Sequence, residues 1–278
     1  MMKQHFILYI FLLLTVSASS QDSLATKEIS TALYRLNKTR KAAGLDTVSI
    51  ASTLSKGCYS HAKYLVINRK NPLTAGLNAH KEFSNLKGYT KEGEIAGKSA
   101  VIHYVKPSVA ITGWIQTFYH RIPLLQPNLK EIGIGFYQKG DDIVSVVDCS
   151  AGSKGENLKD VVFYPNENQQ DIPLSMGPEI PNPVGQAGDY GFPITLYFTQ
   201  FQIITNVTFK LTDKDNSIVD CYISTPDHPA TAFAQWNCIC AIPKKPLLAD
   251  AQYFVTATCK VNNETFKKTY SFRTIKTP

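Results

Sequence analysis

Residues 114–149 read WIQTFYHRIPLLQPNLKEIGIGFYQKGDDIVSVVDC, and this stretch decides how the first half of the chain folds. Two strands stand out in it, Glu131–Gln138 and Asp142–Cys149, with a turn at Lys139-Gly140-Asp141. Ile132, Ile134 and Phe136 alternate with Gly133 and Gly135, the pattern of a half-buried strand. Upstream of the hairpin, residues 108–118 follow Pro107 and place Val109, Gly113, Trp114 and Thr117 at near-helical spacing, so His120 is expected to close a helix. Further upstream, Ile50, Leu54, Cys58, His61, Ala62 and Leu65 form one face of another helix. Residues 25–42 form a third, with Ile29, Leu33 and Leu36 in step and Gly44 as its stop. Asn78 to about Val105 reads as loop-rich.

Downstream the character changes. Residues 151–191 are rich in proline and glycine and read as a linker and entry loop. From 192 to 278 only strands are expected: Ile194–Thr199, Asn206–Thr212, Ile218–Ser224, Ala232–Ile242, Gln252–Val261 and Thr265–Thr274. Their regular spacing, with turns such as Asp213-Lys214-Asp215-Asn216, indicates a β-sandwich.

At the other end, residues 1–20 have the order of a cleavable secretory signal. Lys3 is the cation, Phe6–Val16 the apolar run and Ser17-Ala18-Ser19-Ser20 the small residues. The apolar run is shorter than the roughly 20 residues a bilayer span needs, and no later stretch is long and apolar enough. The mature chain is therefore expected to be secreted, or periplasmic in a Gram-negative bacterium. A net charge of +7 spread over scattered lysines and arginines gives no basic tract, so nucleic acid is not the expected partner.

With an export signal, the six cysteines are expected to form disulfides. Cys58 and Cys149 lie in the first half, and Cys221, Cys238, Cys240 and Cys259 in the last 58 residues, so each half can pair internally. A Cys58–Cys149 bridge would tie the second helix to the last strand of the first domain. Zinc is the rival for the last four, but Cys238-Ile239-Cys240 has one intervening residue where zinc sites use two to four.

The residues able to do chemistry are His80, Glu92, Glu94 and His120. Imidazole and carboxylate together hold a divalent metal or move a proton near neutral pH. There is no His-Glu-x-x-His, no Gly-x-Ser-x-Gly elbow and no phosphate loop. His61, on an apolar helix face, reads as a hydrogen-bonded core residue.

The order of motifs resembles the CAP superfamily, also called SCP-like: cysteine-rich secretory proteins, antigen 5 and class 1 pathogenesis-related proteins. The resemblance runs from Leu36-Asn37-Lys38-Thr39-Arg40 through Ser60-His61-Ala62, His80 and Gly93-Glu94-Ile95-Ala96. It continues through Trp114 to Arg121, Leu124-Leu125-Gln126-Pro127 and Ile132-Gly133-Ile134-Gly135. It implies an α+β fold: an α-β-α sandwich over 21–150 with a central cleft, followed by the all-β sandwich. It also implies that His80 and His120 are the two cleft histidines, ligands of a divalent cation, zinc first. Glu94, Glu92 or Glu82 would be the acid, with Arg121 beside it. The helix that usually carries a second acid has Gln116 and Thr117 instead. In the C-terminal part, Leu247–Tyr253 resembles the run before a late strand of immunoglobulin-like and fibronectin-type modules, where a tyrosine bonds back to the preceding corner; Tyr253 is the candidate. Three functions compete. One is a cleft that binds a metal, or a small hydrophobic or peptide-like ligand. Another is a metal- or acid/base-assisted extracellular hydrolase, with His120 and Glu94 or Glu92 catalytic. The third is an adhesion protein with a vestigial cleft.

Overall fold

The computed structural model describes residues 25–151, 160–198, 202–231 and 235–276. The signal reading of residues 1–20 falls outside them. Among the described residues no helix is long and apolar enough to cross a membrane.

The first half is a four-stranded sheet with helices on both faces. Helix α1 (25–42) and helix α2 (Ser52–Ile67) follow the expected periodicity. The sheet order is β1 (Ser49–Ile50), β3 (Glu131–Lys139), β4 (Asp142–Asp148) and β2 (Ala100–His103). Strand β1 pairs in parallel with β3, and the β3–β4 hairpin is antiparallel, with Gly135 opposite Val146. Val144 and Val146 face α2, packing with Cys58, Ala62 and Leu65. Ile132, Ile134 and Val147 face the other way, onto Ala32 and Leu36 of α1 and Ile111 and Trp114 of α4 (Pro107–Ile115). The two strand glycines set how near α2 lies. A Cβ on Gly133 would stand 2.6 Å from the Leu54 carbonyl carbon, and one on Gly135 would run into the Tyr59 backbone.

The stretch expected to be loop-rich holds regular structure. A 3-10 turn spans Gly76–His80, and helix α3 spans Lys91–Ser99 before β2. Helix α3 has a side-chain cap, Thr90 accepting from the Gly93 N–H. It has few apolar residues because its inward face is glycine. A Cβ on Gly97 would lie 2.5 Å from the His61 ring, and one on Gly93 would strike the Glu82 carboxylate. Helix α4 ends at Ile115, so His120 does not close it; His120 sits in the turn before a short helix, α5 (Arg121–Leu124).

Among the described residues the second half has seven strands in two sheets. One is β5 (Val161–Tyr164), β6 (Ile194–Phe198), β9 (Cys238–Pro243) and β8 (Cys221–Ser224); the other is β11 (Glu264–Arg273), β10 (Gln252–Val261) and β7 (Ile204–Asp213). Lettered A to G in chain order, these read A-B-E-D and G-F-C, the order of a constant-type immunoglobulin sandwich. Tyr253, at the start of β10, accepts the Leu248 N–H on its hydroxyl at 2.9 Å, as expected. Strand β5 lies inside the stretch read as a linker. Its four residues, ending just before Pro165, are too few to show a period, and it pairs with β6 from Val161–Phe198 to Tyr164–Thr195.

The disulfide expectation is corrected: all six cysteines are free thiols. Cys58 packs on the α2 side of the first sheet with Val144 and Val146, while Cys149 joins the core on the α1 side. Cys238 and Cys240 are two residues apart on one strand and share a face, packing with Phe118 and Ile122 of the first half. Cys221 begins β8 opposite Pro243, whereas Cys259 pairs with Phe266, which packs on Phe198 at the other end of β6. Burial pushes the Cys58, Cys221 and Cys238 thiols up to about 12, so they behave as small apolar side chains.

Strand β9 joins the two halves. All six of its residues are buried. Ile239 and Ala241 face the sandwich interior, and Cys238, Cys240 and Ile242 face Phe118 and Ile122. A strand covered on both faces reads as a continuous apolar run. Arg121 rivets this junction. Its Nε donates to Ile115 O at 2.8 Å and its Nη1 to Pro193 O at 2.6 Å, and its guanidinium stacks over the Phe192 ring at 4.5 Å.

Candidate functional site

The site lies where α4 ends, where the 3-10 turn ends and where the two halves meet. The turn Gly76–His80 brings His80 to the sheet edge. The break after α4 brings His120 toward it, and both imidazoles line two adjoining cavities of about 800 and 280 Å³. The larger is walled by Leu77, Ile122 and Pro123 of the first half, by Ile180 and Pro181 of the proline-rich stretch, and by Trp236 just before β9. The smaller adds His103, Tyr104 and Trp114.

Each ring is held by one nitrogen. His80 Nδ1 lies 2.9 Å from Gly97 O. A carbonyl only accepts, so Nδ1 carries the proton and Nε2 is left with its lone pair. His120 Nδ1 lies 2.9 Å from Glu179 Oε1. The same carboxylate accepts from His120 N at 2.9 Å and from Phe118 N at 3.0 Å. Its side chain is 0% exposed. With Nδ1–H directed at Glu179, His120 too keeps Nε2 free. His103 is opposite in sense: its Nδ1 accepts the Tyr104 N–H at 2.9 Å, so a neutral ring carries its proton on Nε2. Burial lowers the His80 and His103 pKa values, so both rings are neutral at pH 7. Cys149 also lines the large cavity, its thiol pushed up by burial.

The acids expected from sequence are elsewhere. Glu94 faces Lys98, Lys91 and Tyr89 at 2.6, 3.0 and 3.0 Å, and those hydrogen bonds hold its carboxyl at about 2. Neither Glu94 nor Glu92 lines either cavity. Glu82 is buried against His61, Oε1 to Nδ1 at 2.9 Å, and accepts Thr90 N at 2.9 Å; His61 Nε2 is taken by Ala79 O at 2.8 Å. Arg121 is buried behind His120 in the junction and faces the sandwich. Sequence reasoning missed Glu179 and His103. Glu179 is an isolated acid among prolines, 59 residues past His120, and no local spacing connects the two.

The donor set does not fit a resident metal. Among the described residues no group of three or more His, Cys, Asp or Glu is placed to hold one. His80 and His120 offer two free imidazole nitrogens, one fewer than the three protein ligands a catalytic zinc takes, and the Nδ1 of His103 is already taken by the Tyr104 N–H.

Residues 33–149 match the model of the Cysteine-rich secretory protein family, CAP, which supports a CAP domain over that part of the chain. The match includes both cleft histidines and ends before Glu179. No curated protein matches the chain. Among solved structures the chain is similar to CopC from Methylosinus trichosporium OB3b, at 14% identity over 41% of this chain and 88% of that one, with a TM-score of 0.26. It is also similar to a DUF4426 family protein from Pseudomonas aeruginosa PAO1, at 12% identity over 43% and 92%, with a TM-score of 0.30. At such TM-scores neither likeness bears on fold or function.

Proposed function

We propose that this is a secreted CAP-domain protein, followed by an immunoglobulin-like domain, whose cleft binds a small amphipathic ligand with an apolar body and a hydrogen-bond-donating head. One observation carries the reading. His80 and His120 line the same two cavities, each with Nδ1 committed to an acceptor and Nε2 left as a lone pair. Two Nε2 lone pairs facing an apolar cleft complement a hydroxyl or an ammonium better than an anion. The walls of Leu77, Ile122, Ile180 and Trp236 suit the apolar body. Lys98 lines the cleft, but its charge is met by Glu94 at 2.6 Å; Lys81 is the remaining cation there.

The test is a fluorescence titration. Trp114 is buried and Trp236 is 50% exposed, so Trp236 reports on the cleft. A long-chain primary alcohol should quench it saturably at pH 7 and bind tighter than the carboxylate of equal length, and His80→Ala or His120→Ala should each abolish the preference. Tighter binding of the carboxylate, lost in Lys81→Ala, would overturn the hydroxyl reading and make the lysine the head-group site.

A second reading rests on the His120–Glu179 pair. A carboxylate that fixes Nδ1–H leaves Nε2 able to take a proton from water or a hydroxyl, the arrangement of a general base. The hydrolase reading requires turnover that is lost in His120→Ala while alcohol binding to His80 persists; saturable uptake without product supports binding alone.

A further inference from the structure

We infer that the cleft is completed from outside the CAP segment: Glu179, carried on the strap 174–181, is the positioning residue that fixes His120, so the part of the chain after residue 150 belongs to the site. This rests on the reading that His120 Nε2 meets the cleft ligand.

Three observations bear on it. First, three N–H donors converge on one carboxylate: the backbone of Phe118, the backbone of His120 and the His120 ring. A carboxylate only accepts, so it satisfies all three. A carboxamide has one accepting oxygen and an NH₂ that would face one of the donors. Second, the two residues that follow α4, Gln116 and Thr117, are not acids. The strap passes over this gap. Gly177 N donates to Gln116 O at 3.0 Å, and a Cβ on Gly177 would lie 3.4 Å from Thr117 Cγ2. Third, the strap is anchored to the other half. Leu174 O accepts from Phe192 N at 3.2 Å and from Leu247 N at 2.9 Å, and Met176 N donates to Tyr190 O at 2.9 Å. Beyond Glu179, Ile180 and Pro181 form cleft wall beside Trp236.

The position of His120 therefore depends on two packed halves and the strap between them. A carboxylate that holds a ring N–H fixes both the tautomer and the orientation of the imidazole. Glu179 also caps two backbone N–H groups, a purely structural service, and the ring nitrogen distinguishes the two roles.

The experiment is long-range ¹H–¹⁵N spectroscopy of the histidine rings in the full chain, comparing wild type with Glu179→Gln. Wild-type His120 should carry its proton on Nδ1. In Glu179→Gln that tautomer should fall to a mixture with Nε2–H, while the His61 signals, held by Glu82 elsewhere, stay in place and show that the fold survives. A wild-type His120 protonated on Nε2 would overturn the inference, and that arm stands even if the variant does not fold. So would a His120 tautomer unchanged in a folded Glu179→Gln. No ligand is needed, so failure of the alcohol titration would sink the binding reading and leave this result standing.

Discussion

His61–Glu82 and His120–Glu179 are the same two side chains at the same separation, 2.9 Å from Nδ1 to a carboxylate oxygen, and both carboxylates are fully buried. They differ at the second ring nitrogen. His61 Nε2 is bound to Ala79 O, and the ring is 0% exposed, roofed by Gly97 of α3. The His120 ring is 18% exposed and lines both cavities. The first pair is sealed and holds α2, the 3-10 turn and α3 together. The second is open and presents a nitrogen to the cleft. A histidine–carboxylate contact by itself therefore does not mark a site; the free nitrogen does.

Breaking the sealed pair should have the largest effect. Glu82→Ala leaves the His61 ring and Thr90 N without their acceptor in a closed core, and should cost about 3–5 kcal/mol in urea unfolding. Gly97→Ala forces a Cβ onto the His61 ring and should cost about 1–3 kcal/mol. Whatever folds in Glu82→Ala should bind the alcohol normally, because Glu82 lines neither cavity, whereas Gly97→Ala should also weaken binding, because the Gly97 carbonyl holds His80 Nδ1. The open pair should behave the other way round. Glu179→Ala should lose about 1–3 kcal/mol, through the uncapped Phe118 and His120 N–H groups, but weaken alcohol binding at least about tenfold. Normal binding in Glu179→Ala would erase the distinction between the pairs.

Acidification sharpens the comparison further. Burial holds the His80 and His103 pKa values below the ordinary histidine value, about 6.5. Between the folded and unfolded values the unfolded chain binds more protons, so stability is full above about 6.5 and is lost as pH falls through the folded values. The melting temperature should drop across that window, and less steeply in the His80→Gln/His103→Gln double variant. The smallest effect expected is from zinc. Calorimetric titration should give weak binding at most, removed by His80→Ala or His120→Ala; tight binding would reveal a third ligand.

The sequence was most legible where the chemistry is local. The α2 face from Leu54 to Leu65, the β3–β4 hairpin and the corner tyrosine Tyr253 each follow from residues close together in the chain, although Ile50, read as part of that helix face, lies in β1. His80 and His120 came from motif order and do share a cleft. Helix α3 was missed because glycines replace its apolar stripe, and β5 because four residues carry no readable period. Glu179 was missed because its link to His120 is wholly tertiary. Disulfides followed from compartment and count, but strand register sends the four C-terminal cysteines to different faces and opposite ends of the sandwich.

The central claim is that the cleft works through the two open imidazoles. The most direct measurement is the histidine-ring ¹H–¹⁵N spectrum of the wild-type chain, recorded with and without the long-chain alcohol. The account predicts that the Nε2 signals of His80 and His120 shift on saturation while both His61 nitrogens stay fixed. Shifts at His61, or none at His80 and His120 despite saturable binding, would contradict it.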